Sequence, residues 1–111
     1  MANFFKNAQA SSVGTTEVSV YITPSSTTAT IVGLSCANIT STSPIKVSIR
    51  VNDNSASSHA YVVKDAEIFE GGTLVAVGGD QKLVLEASDI LKVISDTGSS
   101  VDVILSVMEQ T

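Results

Sequence analysis

The chain has 111 residues, of which 43% are hydrophobic and 15% are charged. At this length a chain buries roughly two-thirds of its unfolded surface, which is enough for the core of one domain without cross-links. Eleven acidic residues against six basic ones give a net charge of −5, and Lys and Arg form no cluster. This charge argues against binding to nucleic acid or to an anionic membrane surface.

Residues that could carry out chemistry are scarce. The single Cys36 cannot form a disulfide within the chain, and one cysteine with the one histidine, His59, cannot make an ordinary structural zinc site. Cys36 lies in an apolar segment and is predicted to pack in the core. A general base at His59 would need a positioned nucleophile and carboxylate, which the sequence does not indicate. The acidic turns lack the spaced carboxylates of a Ca²⁺ loop, so we expect no bound metal. Because residues suited to catalysis are also scarce, we expect no enzymatic activity and no cofactor.

The first segment, residues 1–14, is predicted to be an N-terminal arm. It contains Phe4 and Phe5, two of the three Phe residues, among Asn, Gln, Ala and Ser, without hydrophobic alternation. One interpretation is an arm that docks on a neighbouring subunit, with Phe4 and Phe5 as its anchors, because buried Phe side chains contribute strongly to interfaces. The other interpretation is a terminal segment that folds back on its own core.

The remaining residues, 15–111, are predicted to form one antiparallel β-sandwich. Their apolar segments are rich in Val, Ile and Thr, which lose side-chain freedom in helices and fit a pleated sheet. Clusters of Gly, Asn, Asp and Ser separate about eight short strands, a spacing typical of a sandwich or small barrel. The predicted strands are 17–22, 28–37, 45–52, 59–63, 73–77, 82–85, 90–94 and 101–109. An all-β jelly roll and an immunoglobulin-like sandwich both fit this pattern.

Alternation of apolar and polar residues predicts which side chains face the core. It is strictest in 45–52, where the odd-numbered residues are all Ile or Val. The odd-numbered residues of 101–107 are also apolar, and Glu109 beyond them is expected to face outward. In 17–22 the even-numbered residues are apolar, which predicts that Tyr21 faces outward.

Seven segments spread over the chain combine these strands with particular turns. They are 1–7 (MANFFKN), 12–16 (SVGTT), 20–24 (VYITP), 30–34 (TIVGL), 60–66 (AYVVKDA), 78–87 (GGDQKLVLEA) and 100–109 (SVDVILSVME). Together they resemble small virion structural proteins of tailed bacteriophages. The resemblance implies a small all-β particle component present in many copies, and it carries over no functional residues. One departure is Phe69-Glu70 before a glycine pair, where we would expect Pro and Gly, so the type of that turn stays open.

The resemblance implies a non-enzymatic protein of the virion, assembled in the cytoplasm of a bacterial host. We expect a capsid decoration or cement protein that buries a flat, low-charge face across junctions between subunits of the major capsid protein. Many weakly bound copies would act together. A closed homo-oligomer would also fit, and a trimer would match the local three-fold axes of a shell.

Two alternatives remain. One is a tail, neck, baseplate or fibre-attachment component with tail proteins as its partners. The other is a receptor- or glycan-binding module, which is disfavoured because only 5% of the residues are aromatic.

Overall fold

The structure is a computed structural model that describes residues 2–111. Within this range the regular structure consists of nine strands. In chain order they are β1 (Asn3–Val13), β2 (Val18–Ile22), β3 (Thr28–Asn38), β4 (Ile45–Asp53), β5 (Ser58–Ile68), β6 (Thr73–Val77), β7 (Leu83–Leu85), β8 (Ile90–Ser95) and β9 (Val101–Gln110). Across residues 2–111 we find no helix of the length and apolar character that crossing a membrane requires.

The strands form two antiparallel sheets that pack face to face. Sheet A has the order β1-β9-β3-β6, and β7 also pairs with β3; sheet B has the order β2-β8-β4-β5. Because β9 pairs with one edge of β3 along its whole length, β6 and β7 share the other edge, at residues 34–37 and 29–31. Counted as one interrupted strand, β6 and β7 give the orders 1-8-3-6 and 2-7-4-5, which are those of a jelly roll. The predicted all-β sandwich is confirmed, and its subtype is the jelly roll.

The core lies between the sheets and follows the alternation in the sequence. Odd-numbered residues in the first half of β4 and along β9 point inward and are fully or almost fully buried; they include Ile45, Val47, Ile49, Val101, Val103, Leu105 and Val107. Each such side chain stabilises the fold by about 1.5–3 kcal/mol when it leaves water. Cys36 is also fully buried, as predicted, and burial raises the pKa of its thiol to about 12. This cysteine therefore acts as a small hydrophobic residue.

The opening segment is part of the sandwich. Residues 3–13 form the edge strand β1, which pairs with β9 from Asn3 opposite Gln110 to Ala10 opposite Val103. This arrangement is the second of the two interpretations, a segment folded back on its own core. The alternation of apolar and polar residues is weak in β1 because an edge strand covers little of the core and needs few apolar residues. Ala8 and Ala10 of this strand pack against the core.

The predicted directions of Tyr21 and Glu109 are wrong. A β-bulge between Ser19 and Tyr21 shifts the register with β8, and one extra residue reverses the alternation. Tyr21 consequently points into the sandwich and Ile22 points outward. Glu109 has the same parity as Val107 and is buried, because specific partners within the sandwich accommodate its charge.

Candidate functional site

The outer face of sheet A carries few charged side chains. The strand register aligns its outward side chains in rows across the sheet. One row consists of Phe5, Met108, Thr30 and Val84. A second row consists of Gln9, Ile104, Ser35 and Val75. Four of these residues, Phe5, Ile104, Val75 and Val84, are large hydrophobic side chains that are more than half exposed.

Between and beyond these rows the outward residues are small or polar and uncharged. They are Asn3, Asn7, Thr28, Gly33, Ala37, Thr73, Ser106 and Gln110. The one charged residue among these outward register positions is Asp102, whose carboxylate accepts a hydrogen bond from the Ser12 N–H at 2.9 Å. The outer face of sheet A therefore combines exposed hydrophobic side chains with uncharged polar ones.

The outer face of sheet B is different, because it carries ion pairs. Arg50 on β4 donates two hydrogen bonds to Glu17, from Nε to Oε2 at 2.6 Å and from the guanidinium to Oε1 at 2.7 Å. Lys92 on β8 lies 3.9 Å from the same carboxylate, and Lys46 stands opposite Glu67 in the register. The hydrogen bonds from Arg50 lower the pKa of Glu17 from its ordinary value. This face is therefore hydrated and charged at neutral pH.

A polar cluster of Tyr21, Glu109 and Lys6 joins the two sheets beside the start of β1; Tyr21 and Glu109 are buried in it, and Lys6 is exposed. The Tyr21 hydroxyl donates to Glu109 Oε2 at 2.5 Å, and Lys6 Nζ lies 2.9 Å from Glu109 Oε1. The hydrogen bonds from Tyr21 and then Lys6 lower the pKa of Glu109, while burial and the Glu109 carboxylate raise that of Tyr21. The cluster holds β1, β2 and β9 together and thereby positions the two residues that precede Lys6. The sequence signal for the buried position of Glu109 was that it falls on the same alternate positions as the inward-facing residues of β9.

The predicted anchors, Phe4 and Phe5, lie side by side on β1. Phe5 is 77% exposed on the outer face of sheet A, while Phe4 is 50% exposed on the other side of the strand, at the margin between the sheets. The structure thus places one anchor on the uncharged face and the other at its edge. Binding of a neighbouring molecule by either residue stays a prediction.

A cluster of polar groups lies at the end of β4 and at the starts of β5 and β8. The hydrogen bonds of this cluster stabilise the adjoining turns. Oxygens of Asp53, Glu86 and Asp89 lie within 4.8 Å of one another. The Asp89 carboxylate accepts hydrogen bonds from the N–H groups of Asn54 and Glu86, at 3.0 and 2.9 Å. The exposed His59 lines a nearby hollow of about 210 Å³ and contacts Tyr61 edge-on. These contacts account for the cluster as capping of turns.

No protein-family model and no curated protein matches this sequence. Among solved structures, the chain is similar to one in the acidic stable capsid structure of Helicobacter pylori bacteriophage KHP30. The identity is 12% and the TM-score 0.57, over 98% of this chain and 87% of that one. A second similar chain comes from Bacillus endospore appendages, described as a novel family of disulfide-linked pili, with 12% identity and a TM-score of 0.49 over 99% and 85% of the two chains. The first of these comparisons shows that the fold occurs in a bacteriophage capsid structure.

Proposed function

We propose that this chain is a structural protein of a phage virion that decorates the capsid and binds across junctions between subunits of the major capsid protein. The observation that carries the proposal is the outer face of sheet A, where two rows with four exposed hydrophobic side chains lie among uncharged polar residues and one charged residue, Asp102. The likeness in fold to a chain in a phage capsid structure supports the same assignment.

An uncharged sheet face is suited to a passive role of this kind. Removing apolar surface from water contributes about 25 cal/mol per Å², whereas a charged group has to be paired before it can be buried without a large penalty. The apolar area comes from four exposed side chains, Phe5, Ile104, Val75 and Val84. The Ser, Thr and Asn residues between them cost less free energy to dehydrate than charged residues do. Because the strands are held in two packed sheets, little ordering is needed on binding.

The charged face of sheet B supports the same orientation on a particle. Arg50, Lys92 and Glu17 form an ion-pair group whose hydration favours a solvent-facing position. A decoration protein bound through sheet A would present this group to the outside. The net charge of −5 would then keep neighbouring particles apart.

The location on the particle is tested by immunogold electron microscopy of intact virions of the source phage. Labels spread over the head are expected for a decoration protein. Labels confined to the tail, neck or baseplate would contradict the decoration role and would favour the tail component that the sequence left as an alternative.

Reconstitution measures the function directly. Purified protein is added to capsids from which it has been removed, and bound protein is counted after co-sedimentation. We expect saturable binding with a fixed number of copies per capsid, whereas binding that rises without a plateau would contradict specific junction sites. A glycan array serves as the control for the glycan-binding alternative, and specific binding on it would favour that class.

A further inference from the structure

One edge of sheet A is unusually open. β1 is 11 residues long, contains no Pro, and has Lys6 as its one charged residue, which is engaged with Glu109. Its bulge comes only near the end, where Ser12 has a positive φ of 55°. Edge strands are normally protected by charge, Pro, bulges or short length. The edges of sheet B show this protection: β2 has five residues and is soon followed by Pro24, and β5 carries several charged residues and irregular pairing.

The opposite edge of sheet A borders an apolar cleft. Between β7 of sheet A and β5 of sheet B the sandwich opens into a cavity of about 340 Å³. Its apolar lining is formed mainly by Val51, Tyr61, Val62, Leu83, Val84 and Leu85. Leu85 is part of the core, whereas Tyr61 and Val84 are exposed at the rim. A side chain entering from outside would therefore meet hydrophobic surface continuous with the core.

The strand register places the exposed Phe pair and this cleft at the same level. Phe4 and Leu85 are the two ends of one cross-strand row through Glu109 and Ala29. Phe5 and Val84 are the two ends of the adjacent row on the outer face. Since successive strands in sheet A are antiparallel, β1 and β7 run in opposite directions. If β7 of another copy lay beside β1, the two strands would be antiparallel and the rows could continue across the contact.

We propose that the aromatic pair of one copy docks on the cleft edge of a second copy of this chain, with Phe4 entering the cleft and Phe5 packing on Val84. The contact extends sheet A by strand addition, in which main-chain hydrogen bonds give affinity and side-chain pockets give specificity. It joins unlike surfaces, so it closes into a ring when the rotation between copies allows, the expected trimer included. The inference deepens the proposed function and rests on it in assuming that many copies lie side by side on a shell.

A two-fold pairing of β1 with β1 is the competing arrangement. It would also cover the open edge, but it would leave the apolar cleft between β5 and β7 in contact with water. The head-to-tail contact covers both surfaces at once, which is why the observations favour it.

Disulfide trapping between chains distinguishes the two arrangements. Chains carrying Phe5→Cys and Val84→Cys are mixed and oxidised, both free in solution and on capsids, and are resolved on a non-reducing gel. We expect mixed disulfide dimers from the two single variants and a ladder of oligomers from the double variant. Cys36 stays in place in all of them, because it is fully buried.

Val75→Cys is the matched control. Val75 is 65% exposed and Val84 is 64% exposed, and both lie on the same edge of sheet A, but Val75 is level with Gln9. We expect the Phe5→Cys chain to form at least about tenfold more disulfide with Val84→Cys than with Val75→Cys, because a disulfide requires Cα atoms within about 7 Å. Adding Phe4→Ser to the Phe5→Cys chain is expected to lower the yield, since it removes the side chain that enters the cleft.

Three results would overturn the inference. Preferential Phe5→Cys homodimers would show two-fold pairing, equal yields with both valine positions would show random collision, and absence of disulfide both in solution and on capsids would show no self-contact. Co-sedimentation of the wild-type protein with stripped capsids separates these failures from that of the proposed function. Capsid binding without disulfides would contradict the self-contact but not the decoration role. Disulfides without capsid binding would contradict the decoration role but not the self-contact.

Discussion

The two outer faces of the sandwich differ in charge, although similar alternating strands form both of them. Sheet A presents uncharged rows that include Phe5 and Ile104, whereas sheet B presents the ion-pair group of Arg50, Lys92 and Glu17. The fold requires only that the inward residues be apolar; it leaves the outward residues free. Under the proposed function, the difference between the two outward sets would follow from what each face contacts, the capsid for sheet A and water for sheet B.

The largest expected effect on capsid binding comes from placing a charge on the outer face of sheet A. Ile104→Glu on β9 should weaken co-sedimentation with stripped capsids about 100-fold, because an unpaired carboxylate would be buried in the interface. Ile22→Glu is the matched control on sheet B, since Ile22 is 57% and Ile104 52% exposed. Binding of this control should equal that of the wild type. Equal loss in the two variants would break the distinction between the faces.

The buried carboxylate of Glu109 should matter more for stability than the half-buried carboxylate of Glu17. Tyr21→Phe removes a hydrogen bond to Glu109 and should lower the free energy of unfolding by about 1–3 kcal/mol. Glu17→Gln, on the outer face of sheet B, should cause a smaller loss, because water reaches this half-buried ion pair and partly screens it. Urea denaturation of both variants at neutral pH measures the two changes. A larger loss for Glu17→Gln would show that the ion-pair group has a structural role.

Glu109 should also make the stability depend on pH. Its pKa is lowered by Tyr21 and Lys6, so its contribution is complete above the unfolded-state pKa of about 4.3 and disappears as the pH falls through the lower native value. The difference in unfolding free energy between wild type and Glu109→Gln should therefore shrink as the pH is lowered below about 4. A difference that stays constant down to about pH 2 would contradict the native role assigned to this carboxylate.

The smallest effect is expected from salt. If sheet A forms the contact, the affinity for capsids should change less than about twofold between about 0.05 and 0.5 M salt, because screening acts on charges and this face has almost none. Titration by co-sedimentation at several salt concentrations measures the effect. A steep decrease would indicate that the charged face of sheet B takes part in binding.

Much of the fold could be predicted from local patterns. For the candidate site, only its low charge could be predicted, and not the residues that form it. The sequence predicts 45–52 to within one residue of the strand in the structure, because period-two alternation reports directly on a half-buried strand. It predicts 73–77 with the bounds that the structure has, because a glycine pair flanks this segment on each side. A low-charge face was also expected from the composition. Its members could not be predicted, because a face is assembled from strands far apart in sequence, such as β1, β9 and β7, whose neighbours depend on topology.

By itself the sequence determined the all-β class, the positions of most strands, the core role of Cys36 and the shortage of charge. These properties depend on residue type and local spacing, which a single segment carries. Only the tertiary structure decided the jelly-roll order, the incorporation of residues 3–13 as an edge strand and the inward position of Tyr21. Strand pairing joins residues about a hundred positions apart, such as Phe5 and Met108. The one-residue bulge in β2 reverses the side-chain directions in the rest of that strand, so neither feature can be found in a local pattern.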